Sequence, residues 1–343
     1  MSWSPPGRYL WDTWFVRRDG ALHAFYLQAE VEACGGDPER RHDLASIGHA
    51  VQSPEAWREV GSGPALRASP EPAWDDLALW TGSIVPATPW APYALFYTAR
   101  QRGDASVDTR HERQRPQQIG LAFSDDLLEW RRFAWGPVIL NPGSSAGLDG
   151  VAWRDPYVMR EGDFFHAFIC ARLAPALTTP DAGGAVVHVM GRSPEAWDAP
   201  RLFVGSEHFY QMEVPQVFWR RQGSRRRLYL LFSAQERDCS AARRRDLPED
   251  ECRTGTYWMA SETVALDSAG FPTLREPARL LAGGLYAGKL LDPEEAEAPL
   301  LLGFPWPEAG QAFAGGIAEP RSVRLGPDGQ LQVLALEAMT WPR

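Results

Sequence analysis

Gly48-His-Ala-Val-Gln-Ser53 leads to Trp57, Gly120-Leu-Ala-Phe-Ser124 leads to Trp130, and Val187-His-Val-Met-Gly-Arg-Ser193 leads to Trp197. In each, a short apolar strand ends on Ser, a turn follows, and a Trp comes next. The three tryptophans stand about 70 residues apart, and recurrence at a fixed spacing is the mark of a repeat architecture. Two weaker echoes follow, Tyr257-Trp-Met-Ala-Ser261 and Leu285-Tyr-Ala-Gly-Lys-Leu290. A four-stranded propeller blade takes roughly 40–50 residues, and more when its loops are long. At the observed spacing the 343 residues divide into about five such units. The repeat therefore predicts an all-β fold, a five-bladed β-propeller, filling residues 1–343 as one domain.

The rest of the chain agrees with this reading. Helical periodicity is scarce, and short β-rich runs alternate with Gly, Pro, Asp and Ser. The inner strands are expected to follow Asp12, Trp80, Asp155, Glu213 and Leu285. Their second strands are expected at His23–Gln28, Tyr93–Tyr97, Phe164–Ala171, Arg227–Phe232 and Leu300–Gly303. Gln101–Gln117 and Glu236–Thr254 are charged stretches, read as solvated excursions or as flaps over a pocket mouth. Acidic Asp292–Ala298 reads as a blade turn. No stretch marks a linker to a second domain.

Composition narrows the function. A chain that is 44% hydrophobic and 23% charged can build a large core. A net charge of -9 disfavours nucleic acid and anionic membrane as partners, because both call for a basic face. A neutral small molecule or oligosaccharide fits better, and fifteen tryptophans supply flat rings suited to sugar faces as well as to blade packing. Four cysteines without a CxxC pair indicate neither a zinc site nor a disulfide framework, with a Cys239–Cys252 bridge left open. Met1–Gly7 lacks a basic segment followed by an apolar one, and no run is long enough to span a bilayer, so a cytoplasmic protein is expected. No Gly-x-Ser-x-Gly elbow is present, and the seven histidines suggest no triad. His23, His166 and His188 read as packing or hydrogen-bonding residues within strands.

Three acidic residues stand in unusual settings: Asp12 in Tyr9-Leu-Trp-Asp-Thr-Trp-Phe15, Asp155 in Trp153-Arg-Asp-Pro-Tyr157, and Glu213 in Tyr210-Gln-Met-Glu-Val-Pro-Gln-Val217. Their neighbours seek burial, whereas Asp and Glu rarely bury unpaired. Each also falls where an inner strand should begin, and in a propeller those starts converge around one end of the channel. Taken singly, each could be a turn or capping carboxylate; Asp-Pro in particular often opens a turn.

In this order the motifs resemble the invertase–levanase and levansucrase superfamily of glycoside hydrolases. Invertases and levanases carry a nucleophilic Asp near the N-terminus ahead of a Phe-Tyr-Gln strand, then Arg-Asp-Pro, then Glu-Cys. Levansucrases have Trp-Asp followed by Ser or Thr and Trp. This chain has Trp11-Asp12-Thr13-Trp14, Phe25-Tyr26-Leu27-Gln28, Arg154-Asp155-Pro156 and Met212-Glu213-Val214-Pro215. Looser matches are Trp80-Thr-Gly-Ser83, Gly303-Phe-Pro-Trp306 and Glu319-Pro-Arg-Ser322. Trp11 and Thr13 stand where invertases place Asn and Pro, Val214 stands where they place Cys, and no counterpart of their C-terminal β-sandwich is expected within the 343 residues.

The resemblance implies a retaining β-fructofuranosidase or transglycosylase. Asp12 would be the nucleophile, Glu213 the acid/base and Asp155 the stabiliser of the transition state. Arg154 would orient the carboxylates or a hydroxyl, Gln28, Trp80 and Ser83 would line the sugar subsite, and Trp11 and Trp306 would form its walls. It calls for no cofactor and no metal in the chemistry, with a buried structural cation in the channel left open. Two rivals stay open: an inverting arabinanase- or xylosidase-like propeller with its acid and base further apart, and a carbohydrate-binding propeller without catalysis.

Overall fold

The computed structural model describes residues 2–53, 56–88, 91–102, 115–307, 310–313, 315–326 and 328–334. Five antiparallel sheets follow one another along the chain as the five blades of a propeller. Blade one is β1 (Arg8–Arg18), β2 (Ala21–Glu30), β3 (Ser46–Gln52) and β4 (Trp57–Glu59). Blade two is β5 (Ala78–Thr88), β6 (Ala91–Arg100), β7 (Gln117–Ser124) and β8 (Arg131–Arg132). Blade three is β9 (Leu148–Glu161), β10 (Phe164–Leu173) and β11 (Gly184–Ser193), with both β12 (Ala196–Trp197) and β13 (Arg201–Gly205) paired to β11. Blade four is β14 (Glu213–Gln222), β15 (Arg225–Ala234), β16 (Gly255–Ala265) and β17 (Arg279–Gly283). Blade five is β18 (Leu285–Leu291), β19 (Leu300–Pro305), β20 (Arg321–Leu325) and β21 (Leu331–Val333).

All five inner strands and their partners are found, but Asp12, Trp80 and Asp155 lie within β1, β5 and β9 instead of ahead of them, whereas Glu213 and Leu285 open β14 and β18. The echo at Leu285–Leu290 does not match the other repeats in position: it lies in an inner strand, and the third strand of blade five is β20. The confusion has a physical source. β18 is buried along its whole length, so it reads as the same apolar run, whereas β20 buries Val323 alone.

The repeat is explained by packing within and between blades. Tyr26 on β2 lies opposite Gly48 on β3, and Tyr97 on β6 lies opposite Gly120 on β7. A Cβ at either glycine would stand 2.2 or 2.4 Å from the facing tyrosine ring, so the ring covers the bare backbone. The recurring Trp leans on the preceding blade. Trp130 meets Phe25 edge-on at 5.7 Å, and Trp197 meets Phe96 at 5.5 Å. Trp57 belongs to one cluster with Leu291, Leu300 and Leu302 of blade five. Blade four uses Phe271 in this role, 5.3 Å from Phe168. The buried apolar residues accordingly fall into five clusters, each centred on one seam between neighbouring blades. The ring closes between blades five and one through Trp3 N–H to Ile317 O (2.9 Å), Ile317 N–H to Trp3 O (2.7 Å) and Gly316 N–H to Leu10 O (2.9 Å).

Cys239 and Cys252 are not bridged: both are buried free thiols, and the Cys239 Sγ–H points to the Cys252 carbonyl at 3.5 Å. His23 and His49 share a ring–ring hydrogen bond of 2.9 Å, as do His166 and His188, with Phe25 and Phe168 stacked on the pairs. Of Gln101–Gln117, residues 103–114 lie outside the described residues. Glu236–Thr254 is a surface excursion, as one of its two readings had it, anchored by buried Asp238, Cys239, Ser240, Arg243 and Cys252 while most of its other residues face out. It holds the short helix Ala241–Asp246, whose buried Arg243 donates to the carbonyls of Glu251 and Ala278. No helix among the described residues is long and apolar enough to cross a membrane.

Candidate active site

Each inner strand carries one extra residue relative to its partner, at the same place. The register slips at Asp12 on β1, at Thr81 on β5, between Arg154 and Tyr157 on β9, between Glu213 and Gln216 on β14, and between Tyr286 and Lys289 on β18. A bulge re-aims the side chains beside it. Four of these bulges put a non-glycine residue in the left-handed region: Asp12 at φ 41°, Asp155 at 59°, Val214 at 52° and Ala287 at 52°. Each such conformation costs about 1–3 kcal/mol and persists only where the surroundings enforce it.

Hydrogen bonds between blades do the enforcing. Thr81 Oγ1 donates to Asp12 Oδ2 (2.6 Å), and Thr98 Oγ1 donates to the Thr81 carbonyl (2.9 Å). Asp155 N–H donates to Thr98 Oγ1 (2.8 Å), and Val214 N–H donates to Asp155 Oδ2 (3.0 Å). Ala287 N–H donates to Ser233 Oγ (2.9 Å). The five bulges are thus linked in series, from blade one to blade five, around one mouth of the channel. The residue before each bulge and the bulge residue itself make the pairs Trp11-Asp12, Trp80-Thr81, Arg154-Asp155, Glu213-Val214 and Tyr286-Ala287.

Above that ring lies a cavity of about 490 Å³, within the range of small-molecule sites. Asp12, Asp155 and Glu213 all line it, brought together from three blades. Arg154 bridges two of them, with Nη2 2.7 Å from Glu213 Oε1 and Nε 3.7 Å from Asp155 Oδ2. The Tyr286 hydroxyl donates to Glu213 Oε2 through a short hydrogen bond. Burial, reinforced by the neighbouring Asp155, pushes the Asp12 carboxyl up to about 7, against the pull of the Thr81 hydroxyl and Arg41. Burial also raises Asp155, to about 6, with Arg154, the Val214 N–H and Lys289 holding it down. Tyr286 is pushed well above its ordinary range by burial and by Glu213, so its phenol keeps its proton. A fourth carboxyl, Asp238, is raised to about 7 by burial and then by Glu213.

The residues picked out from sequence divide. Trp11, Trp80, Arg154 and Trp306 line the cavity; Gln28 and Ser83 do not. The one-residue slip at Asp12 and the alternation of β2 turn Leu27 toward the cavity, so Gln28 faces away, 3.5 Å from Arg8 Nη1. Ser83 lies two residues past the Thr81 bulge, a layer below the floor, where its Oγ accepts from Val158 N–H at 2.9 Å. Sequence reasoning missed Thr81, Arg41, His42, Arg237, Asp238 and Tyr286. Tyr286 had a usable signal, because it directly follows Leu285, where the fifth inner strand was expected, as Trp11, Trp80, Arg154 and Glu213 stand at or beside the starts expected for the other four. Arg237 and Asp238 come from Glu236–Thr254, the stretch that could have been a flap, and they line the cavity rim. Among the described residues no cluster of three or more His, Cys, Asp or Glu side chains is disposed to hold a metal ion.

No family model matches the chain, and no curated protein matches its sequence. Solved structures do match its fold. The GH32 beta-fructofuranosidase of Bombyx mori superposes with a TM-score of 0.69 over 98% of this chain at 17% identity. This chain spans 64% of that enzyme's length. A mutant of the same enzyme in complex with sucrose gives 0.69 at 18% identity, covering 98% of this chain and 65% of that one. Bacillus subtilis levansucrase in complex with oligosaccharides gives 0.66 at 12% identity, covering 96% and 86% of the two chains. The fold is therefore the five-bladed propeller that those enzymes share.

Proposed function

We propose that this protein is a retaining glycosidase or transglycosylase acting on a β-fructofuranoside of sucrose-like size through a covalent glycosyl-enzyme. The observation that carries this reading is the convergence of Asp12, Asp155 and Glu213 on one cavity, each served by donors that fix its orientation. Thr81 occupies Asp12 Oδ2, which leaves Oδ1 to attack the anomeric carbon while Glu213 protonates the departing oxygen. The Tyr286 hydroxyl suits both halves of the cycle, since it donates to a carboxylate and accepts from a carboxylic acid. Asp155, fixed by Val214 N–H, would accept hydrogen bonds from sugar hydroxyls as the ring flattens. Trp11, Trp80 and Trp306 give flat apolar walls, and the structural neighbours bound to sucrose and oligosaccharides make sugar the first ligand to try. The experiment is turnover of sucrose, inulin, levan and aryl furanosides, with the anomer of the first-formed product followed by NMR. Retained configuration supports the proposal. Inversion, turnover of arabinosides alone, or unchanged behaviour of Glu213→Gln as a simple binder would sink it.

A further inference from the structure

Two residues beyond each bulge, the inner strands present Trp14, Ser83, Tyr157, Gln216 and Lys289 to the layer beneath the cavity. Four of these are neutral. Lys289 sets an ammonium in that layer at 5% exposure. Its Nζ donates to the carbonyls of Val214 (2.9 Å) and Pro215 (2.6 Å) and lies 5.5 Å from the centre of the Tyr157 ring. Burial pulls the Lys289 amine down to about 7, and Asp155 and Asp12 act against that through their field rather than by contact. Burying an ammonium without a contacting carboxylate is expensive, and an apolar side chain would serve the fold better.

The two carbonyls belong to the bulge that follows Glu213. Val214 is β-branched yet stands at φ 52°, a conformation such residues avoid. Its N–H is taken from one side by Asp155 of blade three, and its C=O from the other by Lys289 of blade five. The next pair along closes the same seam: the Gln216 side chain donates to Leu290 O (2.9 Å) and accepts from Leu290 N–H (2.8 Å). We propose that Lys289 is a positioning residue for Glu213. It clamps the carbonyl side of the Val214–Pro215 bulge, and so keeps the Glu213 carboxyl on Arg154 and Tyr286 and the Val214 N–H on Asp155. The inference rests on the reading of Glu213 as acid/base.

The test is Lys289→Met, which keeps length and removes charge and donors, studied by crystallography and by kinetics on two fructosides with the same sugar. Sucrose needs a proton on its leaving oxygen, whereas 4-nitrophenyl β-D-fructofuranoside needs it far less. The crystal structure should show Val214 leaving the left-handed region or its N–H parting from Asp155. On sucrose kcat/KM, which reports the leaving-group step and not the hydrolysis of the shared intermediate, should fall roughly 100-fold, the scale of a displaced general acid. On the aryl fructoside the loss should be under about tenfold, because less of the same acid catalysis is at stake. An unmoved bulge, or equal losses on both substrates, overturns the inference. If neither enzyme turns over any fructoside, the proposed activity falls, and the crystal structure alone still decides the role of Lys289. Should Lys289→Met fail to fold, Lys289→Gln, which retains one donor group, is read by the same two measurements.

Discussion

Replacing Thr81 by Val removes one hydroxyl and changes almost nothing else, because the side chain is buried at 1% exposure and valine has its shape. The hydroxyl donates to Asp12 Oδ2 at 2.6 Å, and it is one of two influences, with Arg41, that pull the Asp12 carboxyl back from the rise imposed by burial. A hydrogen bond to a charged group is worth about 1.5–3 kcal/mol, which at ~1.36 kcal/mol per pH unit is an upward shift of about 1–2 units. The sign follows from the proposed role: as nucleophile Asp12 must be ionised, so activity should rise with pH through this group. In the free wild-type enzyme the acid limb of kcat/KM should fall near pH 6–7, belonging to the Asp12–Asp155 pair together, since the two carboxyls influence one another. In Thr81→Val that limb should move to higher pH, costing roughly 10- to 100-fold at pH 6, the same energy read as a rate. Much of the loss should be regained on the alkaline side. Thr81→Ser, which keeps the donor, should follow the wild-type profile. The assay is the full pH dependence of kcat/KM for the three proteins. A loss in Thr81→Val of equal size at every pH would refute the reasoning, since it would mean that the bond places the carboxylate without tuning its charge.

Stability should respond to the same groups with the opposite benefit. Asp12 and Asp155 have folded-state values raised above the ordinary 3.8, so their contribution is fully present below pH 3.8 and is lost as pH rises through about 6 to 7. Asp12→Asn should therefore melt above wild type at pH 8, with the gap closing toward pH 4; a gap that widens on acidification contradicts this. Trp306, tilted 4.8 Å from Tyr286, lines the cavity without touching the carboxylates, so Trp306→Ala should raise KM while kcat changes little. Gly120→Ala drives a methyl into Tyr97 at 2.4 Å and should destabilise the fold by about 1–3 kcal/mol in chemical denaturation. A null effect there would remove the explanation offered for the repeat.

The fold was legible because the repeat records a packing need. A Gly opposite Tyr on the second strand, and a Trp leaning on the previous blade, leave marks in a single chain without any knowledge of its contacts. Asp12, Asp155 and Glu213 were legible for a related reason: acids flanked by Trp, Tyr, Met and Val need partners that local sequence does not supply. What could not be read was register. Gln28 sits in the expected strand, yet the bulge at Asp12 decides which face it takes, and nothing in Phe25-Tyr-Leu-Gln28 reports the slip. Lys289 was hidden for the complementary reason. Its partners are backbone carbonyls some 75 residues earlier in the chain, and carbonyls have no identity in sequence.

The ring of bulges separates the acids from the frame that presents them. Five equivalent stations point into the cavity, but only three hold the acids, while Trp80-Thr81 and Tyr286-Ala287 occupy the others. A wheel built this way can be retuned one spoke at a time. Exchanges at the two acid-free stations reach the acids through single side-chain contacts, Thr81 to Asp12 and Tyr286 to Glu213, so each would retune one acid and leave the remaining spokes as they are.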